Sequence, residues 1–211
     1  MFYAEAMTVT GADFVELDRI AVEEAVRVVD LATAADWARD TPCAGWTLRR
    51  LVAHMSAQHV GFAAAARGAG REPEYWREPE DMSEPARTHR SAAAAVLSAF
   101  AEPGATEREF TLPELGGGFP GGQAVGFHFV DYVVHAWDVA ATLGSAVELP
   151  QQVRVAALAV ARQVPTDPAR RGPGSAFAPV LEVPVGSGPL EEALYLLGRD
   201  PGRWPARRRT R

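Results

Sequence analysis

Residues 126 to 138 read GFHFVDYVVHAWD. His128, Asp131, His135 and Asp138 stand three, four and three residues apart in a run that is otherwise aromatic or β-branched. On a helix turning about 100° per residue, position 131 lies about −60° from 128, 135 about +40° from 131, and 138 about −20° from 131. The four polar side chains therefore share one stripe. Phe127, Val130, Val134 and Trp137 point elsewhere. A polar stripe among apolar neighbours is expected to face away from bulk water, and burying it unpaired would cost several kcal/mol. It needs bonding partners, a metal ion or a wet cavity.

Asp131 and His135, four apart, place a carboxylate oxygen and an imidazole nitrogen where one ion can bridge them, as paired ligands do in helical bundles. A third ligand has to come from a facing helix. His54 is the best placed, in mid-helix among Leu51, Val52, Ala53 and Met55. His59 lies about 140° further round the same helix and is expected to be exposed. His89, in the charged segment RTHR, is expected at the surface. Spacing alone leaves two readings open: a metal centre, or a buried hydrogen-bonded His–Asp network.

The elements that must position these residues are mostly helical. Phe14, Leu17, Ile20, Ala21, Ala25, Val28 and Val29 repeat with a helical period over residues 13 to 30. Pro42 and Gly45 break the chain, and Thr47 is placed to cap a helix running to Ala66. The proline-rich REPEYWREPEDMSEP reads as a surface loop, with Tyr75 and Trp76 as loop anchors or as a lid. Pro85 starts a third helix, EREFTLPELGGGFPGG reads as a hairpin or irregular crossover, and a fourth helix spans about 123 to 143, ending at Gly144. A fifth helix follows Pro150, FAPVLEVPVG is expected to be an extended strand packed on the bundle, and PLEEALYLLGRD is a last short helix. Residues 1–201 form one all-α, four-helix-bundle domain on this reading, and 202–211 a basic, disordered tail.

Composition excludes some chemistry. The chain of 211 residues has 47% hydrophobic and 23% charged residues, which suits one globular domain, and its net charge of −6 gives no reason to expect nucleic acid. It contains no lysine, so no lysine Schiff base forms. The single Cys43 rules out an internal disulfide and suits a reducing cytoplasm. No segment reads as a signal peptide or membrane span.

Two stretches, TPCAGWTLRRLVAHM and HFVDYVVHAWDVAATLG, resemble signature segments of the DinB-like superfamily, most closely its mycothiol-dependent maleylpyruvate isomerase N-terminal branch and actinobacterial metal-binding proteins of that type. FAPVLEVPVGSGPLEEALYLLGRDP resembles the ending of those proteins, so the resemblance spans most of residues 13 to 201. It implies a four-helix bundle holding a divalent metal, often zinc, with nickel and manganese as alternatives. The family's ligand positions fall on His54, Asp131 and His135, with aspartate here where the isomerase branch usually carries glutamate. His128 would orient Asp131 or touch substrate, which makes His128 and Asp131 the catalytic pair. Asp138 is expected to bond a helix end or an arginine, Trp46 to pack, Cys43 to be structural, and Arg199 to pack the C-terminus.

The resemblance implies an enzyme, a mycothiol-type S-transferase or isomerase taking a low-molecular-weight thiol and a small electrophile. Rival readings are a metal-dependent hydrolase, a natural-product tailoring enzyme that reuses the pocket, and a non-catalytic metal-binding stress protein. A homodimer is a further expectation.

Overall fold

The computed structural model describes residues 11–167, 171 and 177–204. Helix α1 spans Gly11–Val29, α2 Leu48–Ala66, α3 Pro85–Phe100, α4 Gly121–Leu143, α5 Gln151–Ala161 and α6 Pro189–Leu196. A two-stranded antiparallel hairpin of β1 (Glu109–Leu112) and β2 (Gly117–Pro120) precedes α4. Its register pairs Glu109 with Pro120 and Leu112 with Gly117.

Helices α1 and α4 pack along each other, as do α2 and α3, and the two pairs close into a four-helix bundle. The central core joins Leu17, Val22 and Val28 of α1, Leu51 and Met55 of α2, Ala93 of α3, and Phe129, Val133 and Val139 of α4. A second cluster fixes the hairpin to one end of the bundle through Phe62, Val96, Phe100, Phe110, Leu112 and Val125. A third seats α6 on α4 and α5 through Val130, Val134, Leu158, Leu194 and Leu197.

Local chemistry sets the ends of the two helices that matter most. Thr47 caps α2: its hydroxyl accepts the Arg50 N–H at 3.4 Å. The turn before it is closed by the Thr41 N–H donating to the Trp46 carbonyl and the Trp46 N–H donating to the Cys43 carbonyl, both at 3.1 Å, with Gly45 at φ +82°. Helix α4 stops at Gly144 in the left-handed region, φ +67°. It starts two residues earlier than the spacing predicts, at Gly121, where a Cβ would come within 2.4 Å of the Ala105 carbonyl oxygen. Only glycine lets the hairpin feed into the helix there.

Two expectations need correction. Residues 178–184 form no strand: Pro179 and Pro184 remove two donors, and the segment is tied to the bundle by the Leu181 N–H donating to the Tyr195 carbonyl at 3.0 Å. His59 and His89 are not at the surface, since both are fully buried. α2 is buried on most of its circumference, and His89 is the inward residue of a turn whose arginines face out. Of the expected tail, residues 202–204 form a turn and 205–211 lie outside the described residues. Trp76 anchors its loop: its ring lies over Gly61 and contacts Phe62 at 5.6 Å, and its Nε1–H donates to the Gly70 carbonyl at 2.9 Å.

Candidate metal centre

Helix α2 faces α4 across the bundle, and this brings together three residues from two distant segments. One ligand atom from each of His54, Asp131 and His135 lies within 4.8 Å of the others. His135 Nε2 stands 3.4 Å from Asp131 Oδ1, and the rings of His54 and His135 meet nearly at right angles, 5.6 Å between centroids. His135 is buried, whereas the Asp131 side chain retains 26% of its exposure, so the trio opens to solvent on the Asp131 side.

The surroundings orient the donors. His135 Nδ1 is 3.0 Å from Asp138 Oδ2, and the Arg199 Nη2–H donates to the same oxygen at 3.2 Å. A carboxylate accepts only, so Nδ1 carries a proton, and Nε2 is the nitrogen turned toward Asp131. Burial opposes charge on His135, but the carboxylates of Asp131 and Asp138 outweigh it and raise its pKa. Burial also opposes charge on Asp138, yet Arg199 and His135 hold its carboxyl below the usual range. Asp138 and Arg199 thus form the expected aspartate–arginine contact, and it bears directly on a site residue.

His54 has no hydrogen-bond partner among the described residues; its ring rests against the edge of Trp46, 4.8 Å between centroids. Burial, then the nearby charge of His135, brings its pKa down to about 4, so it is a neutral imidazole at neutral pH. Two imidazoles and a carboxylate, converging from two helices with one open side, fit the donor set of a divalent site that keeps a free position, an ion taking the place of any proton on His135 Nε2. Cys43 stands near this region, but burial pushes its thiol up to about 11. It is a protonated, half-buried thiol at neutral pH.

His128 is elsewhere. Its Nδ1 lies 2.6 Å from Asp18 Oδ1 and its Nε2 3.1 Å from His59 Nδ1, so both ring nitrogens are engaged in the core and neither is left for Asp131. The roughly −60° step from Asp131 is enough to turn it inward, between α1 and α2. Tyr132 stacks on His59 at 3.9 Å, and its hydroxyl donates to the Met55 carbonyl. The opening stripe therefore divides into two sets: Asp131, His135 and Asp138 build the site, and His128 belongs to a separate buried network.

Spacing on α4 does not reveal three further groups. Gln58, one turn beyond His54 on α2, donates from Nε2 to Glu114 Oε1 at 3.2 Å. Glu114 sits in the turn joining β1 to β2 and brings that turn to the edge of the site; burial and the charge of Asp131 raise its pKa. Arg50 stands one turn before His54. The four-residue arithmetic used on α4 finds Arg50 and Gln58 on α2, whereas nothing in a glycine-rich turn marks Glu114. Two surface grooves, of about 630 Å³ beside Ser56 and Arg87 and about 340 Å³ beside Trp137 and Trp204, are lined by none of the trio.

Comparison with known proteins gives the family and the fold. The family model described as the mycothiol maleylpyruvate isomerase N-terminal domain matches residues 19–140, a span that contains all three candidate donors. Uncharacterized proteins from two Mycobacterium tuberculosis strains, one of them CDC 1551 / Oshkosh, are each 33% identical over 159 residues, covering 75% of this chain and 82% of theirs. The crystal structure of the mycothiol-dependent maleylpyruvate isomerase, and that of its histidine-to-alanine mutant, superpose with a TM-score of 0.55 at 18% identity, over 71% of this chain and 68% of theirs. These structures share the fold, an all-α DinB-like bundle. The chain belongs to the mycothiol maleylpyruvate isomerase N-terminal domain family.

Proposed function

We propose that this protein is a metal-dependent enzyme that uses a low-molecular-weight thiol of the mycothiol type to isomerise, or to transfer sulfur to, a small electrophilic substrate. The observation that carries the reading is the convergence of His54, Asp131 and His135 within 4.8 Å, open on the Asp131 side. Family membership supports the thiol, because the matching model and the fold relative are both named for mycothiol-dependent isomerisation.

His54 Nε2 or Nδ1, one Asp131 oxygen and His135 Nε2 would hold the ion. When bound, a divalent metal supplies a Lewis acid that lowers the pKa of a thiol at its free position. The remaining tasks fall to the chain. Asp138 holds the proton on His135 Nδ1 and so fixes which nitrogen faces the site, and Arg199 keeps Asp138 ionised. Trp46 limits the rotation of the His54 ring. The half-open Asp131 edge admits thiol and substrate. Addition of the thiol to a conjugated double bond, rotation about the resulting single bond and loss of the same thiol return the thiol unchanged and the substrate isomerised. If a leaving group departs instead, the same attack gives S-transfer.

The test is a thiol requirement. Zinc-loaded protein incubated with maleylpyruvate is expected to change its absorbance only when mycothiol is added. Turnover without any thiol would contradict the reading and favour hydrolysis at the same centre. No turnover with any thiol or electrophile, despite tight metal binding, would favour a binding protein.

A further inference from the structure

The inference rests on the reading above and concerns what the site recognises. Helix α2 carries Arg50, His54 and Gln58 four residues apart, with Trp46 four before Arg50. Residues so spaced are neighbours on one helix face, so Arg50 and Gln58 flank His54, each about 6 Å away along the axis. The Arg50 guanidinium carbon lies 4.9 Å over the Trp46 ring, and Trp46 in turn touches His54. The charge of Arg50 acts on both His54 and Cys43, which places it beside the centre. Among the described residues its one acidic partner is Glu78, with Nε 3.8 Å from Oε1 and both side chains well exposed at 56% and 41%. An exposed pair that loose exchanges readily for another carboxylate.

The opposite rim carries the opposite sign. Glu114 is held there by Gln58 and feels the charge of Asp131. Arg50 and Gln58, which holds the Glu114 carboxylate, thus stand on either side of His54, about 12 Å apart along α2.

We propose that Arg50 determines the specificity of the site: its guanidinium receives a carboxylate of the substrate, and Glu114 repels that carboxylate from the other rim, so that the substrate lies in one orientation. The planar fork of donors suits a carboxylate, and stacking on Trp46 orders it beforehand. On this placement the substrate's carboxylate lies about one helical turn, ~5–6 Å, from the reacting carbon.

Isothermal titration of zinc-loaded protein with maleate and with its neutral dimethyl ester tests this. Wild-type protein is expected to bind maleate at least tenfold more tightly than the ester. Arg50→Gln should lose about tenfold for maleate and nothing for the ester, Arg50→Lys should recover part of the loss, and zinc content should be equal in all three. Equal maleate binding by wild type and Arg50→Gln overturns the proposal, as does a wild type that binds neither compound or both alike. If the protein takes up no zinc, nickel or manganese, the metal-thiol reading fails on that result alone, and the same maleate comparison on metal-free protein still decides the role of Arg50.

Discussion

At the scale of single residues, the site depends on what each donor is bonded to. Asp138 touches His135 and Arg199 but not the centre of the trio, and replacing it separates orientation from ligation. Asp138→Asn is expected to keep the fold and weaken zinc affinity by about tenfold to a hundredfold, read by competition with a chromogenic chelator. Cys43 gives a cleaner negative. Its thiol, pushed up to about 11 by burial, should react with iodoacetamide at pH 7.5 far more slowly than a free cysteine, and Cys43→Ser should keep thiol-dependent turnover. Rapid alkylation with loss of turnover would give Cys43 a chemical role. Aspartate at 131, one methylene shorter than glutamate, still brings its oxygen to 3.4 Å from His135 Nε2. The shorter side chain does not prevent convergence.

At the scale of elements, the sequence makes some features legible and hides others for physical reasons. The α4 stripe is visible because apolar and polar residues alternate with a helical period, and the cap at Thr47 because the residue types demand it. The burial of His59 and His89 is hidden. α2 is lined with alanine, which neither marks nor excludes a buried face, and Arg87 and Arg90 dress His89 as a surface residue. The split of His128 from Asp131 depends on which neighbour each side of α4 meets, and that is tertiary information. Residues 177–186 look like a strand by composition, but among the described residues no second strand lies beside them to pair with. Gly61 yields a prediction at this level. A Cβ there would come within 2.3 Å of the Trp76 ring. Gly61→Ala is therefore expected to destabilise the protein by roughly 1–3 kcal/mol in urea denaturation, and Trp76→Leu in the same chain to restore part of it.

At the scale of the whole molecule, the bundle carries two polar layers with different tasks. The first is the open trio between α2 and α4. The second draws one group from each bundle helix or more: Asp18 from α1, His59 from α2, His89 from α3, and His128 with Tyr132 from α4, all fully buried. Among the described residues, both nitrogens of His89 and Nε2 of His59 have no hydrogen-bond partner. Burial lowers the pKa of both, to about 3 for His89 and well below the usual value for His59. The folded state thus keeps them neutral while the unfolded chain protonates them below about pH 6.5. Their contribution is present above that pH and is lost as pH falls, by roughly 1 kcal/mol for each such histidine at pH 5.5. Asp18 is shifted the other way, raised by burial, and opposes this trend. The melting temperature should therefore drop between pH 7.5 and 5.5, and His89→Leu should narrow the drop. An unchanged drop in that variant would remove His89 from the account.

The central claim is that His54, Asp131 and His135 hold one divalent ion, and elemental analysis of untagged protein tests it most directly. The account predicts about one zinc, nickel or manganese per chain in the wild type. It predicts loss of that ion in both His54→Ala and His135→Ala, with the melting temperature of the metal-free form unchanged by about a few degrees at most. A wild-type protein that holds no metal after reconstitution, or variants that keep theirs, would contradict it.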